Sequence, residues 1–419
     1  MTEHPFLSDA DRPRTLPLGF HGDGGSFSKQ DSLFVFTFNS LVGVGATSAK
    51  RFPLTIIKKS DLVPETLQTI MDIFSWSFNI ALTGLTPDRD WAGRDVEGPR
   101  SYLAGRWRGA LVQVRGDWEF YTSIFKFPTW NGAKEMCWMC KASASGDLSF
   151  TSCGTGAKWR ETRRTHESYM EDLASEGKEV PVLLRKVRGL RLESVMVDVL
   201  HCVDLGVAAH IVGNIMWACV KKQVWPGGGT QDEQTACLNA ELLQHYKDVK
   251  EPYRLQGSLT VPRLRTSKGW PKLKSKAAAC RHLARFAWGL AERHLGPREA
   301  ALAQLLVRFY ELISAPEMFF SAEQRGDIAA VGLRLAVLYS QLSRQAFVAG
   351  VKAFKMNPKL HLFQHLAEWQ SVEVGNPKFY WTYPDEDMVG HMVECASSCH
   401  PRTLGVTALF KWVTFAFSQ

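Results

Sequence analysis

The run LPLGFHGDGGSFSKQDSLFVFTFNSLVGV, residues 16–44, is where this sequence commits to β-structure. Residues 16–22 are short and apolar and lead into the glycine-rich HGDGG. Residues 32–44 are rich in β-branched and aromatic side chains with a partial two-residue alternation, the pattern of a half-buried strand. Residues 52–58 (FPLTIIK) make a third strand. Between Pro64 and Leu82 the apolar residues Leu67, Ile70, Met71, Phe74, Phe78 and Leu82 recur near the helical period, and Pro64 suits a helix start. Residues 109–116 (GALVQVRG) form the fourth strand. The predicted order is strand, strand, strand, helix, strand. The first and fourth strands each end in an aspartate, Asp23 and Asp117.

Outward from this α/β segment the sequence changes character. Residues 145–192 are polar and mixed, with basic runs at Lys158, Arg160, Arg163 and Arg164 and at Arg185, Lys186, Arg188 and Arg191. After Glu193 the pattern is helical, with helices expected at 194–222, 231–248, 277–295, 298–315 and 322–355 and a break at WPGGG, 225–229. A closing helix begins near Leu404, and Pro384 before Asp385 and Glu386 suits another helix start. At 419 residues the chain allows two to four structural units. Its 45% hydrophobic and 22% charged content argues against disorder. The longest apolar run, 205–220, is interrupted by His210 and Asn214, so no membrane span is expected. The N-terminal MTEHPFLSDADRPRT has no apolar stretch of a secretory signal, and nine cysteines without small-scaffold spacing fit a reduced compartment. The net charge of +8 hints at an acidic partner.

Three groups of side chains carry chemistry. Asp23, Asp117 and Glu386 are carboxylates that can converge from two strands and a helix to hold two divalent metals. Hard oxygen ligands suit Mg²⁺ or Mn²⁺. Taken singly, each also reads as a turn or cap residue, and Asp385 and Asp387 flank Glu386 as alternatives. Cys137-x-x-Cys140 is half of a zinc site, and His361 and His365 share one helix face at i, i+4. Together they supply a closed tetrahedral Cys₂His₂ set for one structural zinc. Asp198 and His201 are a candidate pair at i, i+3, either active-site or a polar helix junction. Finally, residues 254–285 hold nine cations and no acid. Arg263, Arg265, Lys268, Lys272, Lys274, Lys276 and Arg281 are the candidate DNA contacts within them.

In this order the positions resemble the catalytic core of cut-and-paste DNA transposases of the CACTA (En/Spm-like) group, which is related to the Transib transposases and the V(D)J recombinase. GDWEFYTSIFKFPTWNGAKEMCWMCKAS resembles the family's Gly-Asp, helix and Cys-x-x-Cys block. VDVLHCVDLGV keeps the spacing of its Asp-x-x-His-x-x-x-Leu-Gly block at Asp198, His201, Leu205 and Gly206. YWTYPDEDMVGHM resembles the aromatic stretch that leads into the helix with the last acid. The resemblance spans roughly residues 16–400.

The resemblance implies an α/β plus α chain, an RNase H-like mixed-sheet core split by a large, mostly helical insertion. The corresponding segments are a tail at 1–15, core at 16–144, insertion at 145–355 and closing core at 356–419. It implies DNA cleavage and strand transfer by a two-metal mechanism at Asp23, Asp117 and Glu386, without a covalent intermediate. It further implies DNA as partner, a nuclear location and no membrane, with a homodimer as the candidate assembly. The family's N-terminal DNA-binding region is expected to act in trans or to be absent, since only 22 residues precede Asp23. Two alternatives stay open: a non-catalytic, zinc-stabilised DNA-binding descendant, and an RNase H-like nuclease.

Overall fold

The glycines of HGDGG determine how far the first strand runs. In the computed structural model, which describes residues 4–129, 132 and 134–417, β1 (Thr15–Ser26) does not stop at Gly22. It stays paired with β2 (Ser32–Ser40) until Ser26 faces Ser32. Asp23 therefore lies inside a strand, opposite Val35, and not at the expected strand end. The reason is steric. A Cβ on Gly22 or on Gly116 would come within 2.3 Å of the Phe120 ring, so two glycines side by side let that ring seat on the sheet.

In chain order, β3 (Arg51–Lys58), α1 (Thr66–Thr83), β4 (Arg108–Gly116), α2 (Trp118–Phe125) and α3 (His166–Ser175) follow. Next come α4 (Ala209–Lys222), α5 (Gln231–Asp248), α6 (Ala284–His294), α7 (Pro297–Ile313), α8 (Ala322–Val348) and α9 (Pro358–His365). The last two are α10 (Tyr383–Ser397) and α11 (Leu404–Phe417). The fold is mixed α/β with a four-stranded sheet of order β3-β2-β1-β4. The first three strands are antiparallel and β4 is parallel to β1, as the intervening α1 crossover allows. A single parallel bridge from Val114 to Val195 adds to the β4 edge.

The described residues divide into two compact units. One comprises Met1–Thr129, Arg164–Met196 and Tyr380–Gln419; the other comprises Trp130–Arg163 and Val197–Phe379. These bounds differ from the expected segments. The Cys-x-x-Cys stretch and the His pair belong to the helical unit, because their side chains bury together there, and 164–196 belongs to the sheet unit. The expected tail is partly built in: Leu7 packs with Leu82 and Ala110, while residues 1–3 lie outside the described residues.

In the first unit, strand alternation sorts side chains to two helix layers. Phe20 and Phe36 face α1, where Phe74 and Phe78 meet Phe20 edge-on at 5.7 and 5.8 Å. Leu33, Val35 and Ile56 face the other way and form a core with Met388, Val389 and Met392 of α10 and Leu404, Ala408 and Trp412 of α11.

In the second unit, a π-type stretch, Leu200–Ala208, runs straight into α4. The helix Leu200–Lys222 is long and apolar enough to cross a membrane, but 89% of its most apolar window is buried, as in the core helix of a folded unit. The WPGGG break hands over to α5 through a capping box between Thr230 and Glu233. Expected helices come out shorter than their patterns, the 194–222 pattern becoming helical only near Leu200. The 277–295 pattern divides into Ala277–His282 and α6, and α8 stops at Val348, before Gly350 takes a left-handed φ of +66°.

Candidate functional site

The first unit gathers its carboxylates on the face of the sheet under α10. His21 and Asp23 alternate along β1 and so share a face. Gly22 pairs with Gly116 on parallel β4, so Asp23 and Asp117 are the next residues on neighbouring strands, whose spacing is about 4.8 Å. Asp117 ends β4 and caps α2, its carboxylate accepting from the Phe120 N–H at 2.7 Å. Glu386 sits in the first turn of α10. One ligand atom from each of His21, Asp23 and Glu386 lies within 4.8 Å of the others. The structure thus brings together two of the three expected acids and adds a histidine. Asp117 stands on the adjacent strand with its carboxylate engaged in the cap. His21 was legible as the residue two before Asp23 on a strand.

The acids beside Glu386 have different surroundings. Asp387 is exposed. Asp385 is fully buried and receives the Arg51 Nε at 2.7 Å and the Arg115 guanidinium at 3.2 Å; Arg115 also donates to Asn39. Burial pushes the Asp385 carboxyl up, but Arg115, His21 and Arg51 outweigh it and hold it below its ordinary value. Asp385 is therefore ionised and engaged by two arginines, which anchors the start of α10 on β3 and β4 and leaves Glu386 as the acid at the cluster. The sequence offers Asp385 only as an alternative to Glu386 and carries no sign of its arginine partners, since their meeting spans up to 334 positions.

The second unit holds a different cluster. Cys137, Cys140, His361 and His365 are all buried, with one ligand atom of each within 4.8 Å of the rest. The Cys140 Sγ lies 3.3 Å from His361 Nε2 and 3.5 Å from His365 Nε2, and the two ring nitrogens are 2.9 Å apart. Zinc bonded at about 2.3 Å to sulfur and 2.0–2.1 Å to nitrogen requires tetrahedral edges of about 3.3–3.8 Å. The three edges among Cys140, His361 and His365 match that cage to within about half an ångström, and Cys137 completes the set within 4.8 Å. The rings are held from outside. Trp159 meets both edge-on at 4.5 and 5.1 Å, and Trp369 stacks on His365 at 4.0 Å. The Met139 N–H donates to Cys137 Sγ at 3.3 Å, a bond that favours a thiolate. Burial pushes His365 down to about 4, so it is a neutral donor at pH 7. Burial raises the Cys137 thiol, but Cys140 and the two histidines outweigh it and hold it well below its ordinary value. Two thiols and two imidazoles in a dry tetrahedral arrangement are compatible with structural zinc, with all four positions filled by protein.

The remaining candidates all lie in the second unit. Asp198 accepts from the His201 backbone N–H at 2.7 Å and meets its Nδ1 at 2.9 Å, so the pair begins the helical segment Leu200–Lys222 as a cap. In the basic stretch, Arg263 donates to the Gln256 and Ser258 carbonyls. Arg265 donates to the Gly269 carbonyl and lies over the Trp217 ring. Arg281 and Lys272 are half-buried, whereas Lys268, Lys274 and Lys276 are exposed. No protein-family profile and no curated protein matches this chain.

Proposed function

We propose that the first unit is an RNase H-like catalytic core that cleaves and transfers DNA strands, and that the second unit is its zinc-stabilised insertion. The observation that carries this reading is the meeting of Asp23, from the strand at the sheet's centre, with Glu386, from the helix laid across it. Asp117 stands at the adjacent end of β4. The order β3-β2-β1-β4, with only β4 parallel to β1, is the arrangement such a core uses, and it supports the same reading.

Asp23, Glu386 and Asp117, with His21 beside them, would hold two Mg²⁺ or Mn²⁺ ions. A carboxylate offers about four lone-pair sites, so the cap on α2 does not exhaust Asp117 as a ligand. Bound ions of this kind activate water and neutralise both oxygens of an in-line phosphoryl displacement. The protein's own part is positional. β1 and β4 fix two carboxylates side by side, and the Arg51–Asp385–Arg115 group sets the pitch of α10 and hence of Glu386. A working nuclear homodimer on DNA belongs to the same reading.

A second reading, a DNA-binding descendant without catalysis, draws on the Asp117 carboxylate being engaged as a helix cap. The test is nicking of supercoiled plasmid in Mg²⁺. Wild type is expected to nick, and Asp23→Asn and Glu386→Gln to lose the activity. Equal nicking by all three sinks the catalytic reading. Salt-dependent DNA binding without any Mg²⁺-dependent nicking favours the second. Strand-transfer products separate a transposase from an RNase H-like nuclease.

A further inference from the structure

The linear basic stretch is only half of a surface that the helical unit builds. A second acid-free stretch runs from Ile328 to Ala367 and carries Lys352 and Lys355 in the connection between α8 and α9. Two neighbouring residues of α4 hold both stretches together. A Cβ on Gly213 would lie 2.4 Å from the Leu273 N and 2.7 Å from the Lys272 Cα, so glycine there lets that backbone lie directly on the helix. Leu273 N–H donates to the Ala209 carbonyl at 2.9 Å. The next residue, Asn214, is buried. Its Nδ2 reaches the Pro271 carbonyl at 3.5 Å, and its Oδ1 accepts from the Phe354 N–H at 2.7 Å. Phe354 itself is buried at a left-handed φ of +48°, anchored edge-on against Tyr339, with Lys352 and Lys355 exposed on either side of it. Lys352 Nζ then crosses to the Lys268 carbonyl at 3.1 Å, joining the two stretches at the surface.

The charges at this junction are unbalanced. Among the described residues no carboxylate pairs with Lys268, Lys272, Lys274, Lys276, Lys352 or Lys355. The arginines of the same stretch are used differently: Arg263 and Arg265 brace loop carbonyls, and Arg285 pairs with Glu311. The lysines feel one another. Burial and then the nearby Lys355 lower Lys272, and buried His210 is pushed down by burial and by Lys272, Lys355 and Lys359.

We infer that the joined 268–276 and 352–355 segments form one phosphate-binding surface for duplex DNA, which grips the backbone without reading bases. This rests on the DNA reading above and names residues outside the stretch that suggested it. Lysine is a mobile point charge, suited to phosphate oxygens, whereas base-edge recognition favours the planar fork of arginine, and the 268–276 and 352–355 segments hold lysines and no arginine.

The experiment is duplex binding by the full chain across a salt series, comparing wild type with Lys352→Gln/Lys355→Gln and, independently, with Lys268→Gln/Lys274→Gln. All four side chains are exposed, so folding is preserved, and circular dichroism checks it. Each double variant is expected to reduce the magnitude of the log K against log[salt] slope by about 2, at about 0.9 per phosphate contact, and to do so alike on unrelated sequences. Unchanged affinity and slope in both double variants, with wild type binding DNA, overturns this surface alone. Absence of wild-type DNA binding, or binding to polyglutamate but not to DNA, overturns both this inference and the DNA reading.

Discussion

Replacing Asp385 by Asn tests how the third acid is held. The side chain is fully buried, and both its partners, Arg51 and Arg115, are nearly so. Asn keeps the shape but removes the only carboxylate that the described contacts place on these two guanidiniums. Breaking a buried pair by removing one partner costs about 3–5 kcal/mol, and two stranded cations put the expected loss at the upper end. That is a large part of the roughly 5–15 kcal/mol that holds a typical domain. The pH dependence has a definite sign. The folded carboxyl is held below its ordinary value, so its contribution is complete above about pH 4 and is lost as pH falls further. Asp385→Asn should therefore lower stability at pH 7 and flatten the acid limb below pH 4. The assay is hydrogen exchange at the amides of β1 and β4 in a urea series, combined with a double-mutant cycle against Arg51→Met. A coupling of about 1–3 kcal/mol is expected. A loss below about 0.5 kcal/mol with no coupling would refute the argument that this group seats α10.

Two further predictions concern the helical unit. The purified protein should carry one zinc per chain by elemental analysis, and Cys140→Ser should lose the ion and destabilise the unit by on the order of several kcal/mol; full zinc retention in that variant would remove the assignment. His210 is held neutral with its pKa pushed down to about 3, chiefly by burial and then by Lys272, Lys355 and Lys359. The unfolded state takes up that proton first, so stability should fall as pH drops from about 6.5 toward 3, by at most roughly 5 kcal/mol. His210→Gln should remove this limb in pH-dependent melting, and an unchanged profile would contradict it.

Much of the sheet was legible because strand alternation is local. The second to fourth strands and the helix between the third and fourth sit within a few residues of their patterns. The end of the first was misread because HGDGG resembles a turn, and only the Phe120 ring explains why glycines continue a strand there. The zinc set was legible because ligand chemistry limits which side chains can share an ion. His21 carried a local signal, the two-residue strand period. The Arg51–Asp385–Arg115 group carried none, since nothing in a sequence links an arginine at 51 to an acid at 385. The lysines at 352 and 355 sit too sparsely to register as a run, and the tertiary contacts of Gly213, Asn214 and Lys352 bring them beside the basic stretch.

That buried ion group also has a consequence for the order of synthesis. β4 is complete at residue 116, yet Asp385 is made 269 residues later. At about 5–20 residues per second the ribosome needs roughly 13–54 s to cover that distance. Throughout this interval Arg51 and Arg115 have no Asp385, so water must stay on that face of the nascent sheet. The sheet can pair early, but it cannot close until residue 385 has emerged. A truncation before residue 380 should leave an open, chaperone-bound sheet, and not a smaller native one.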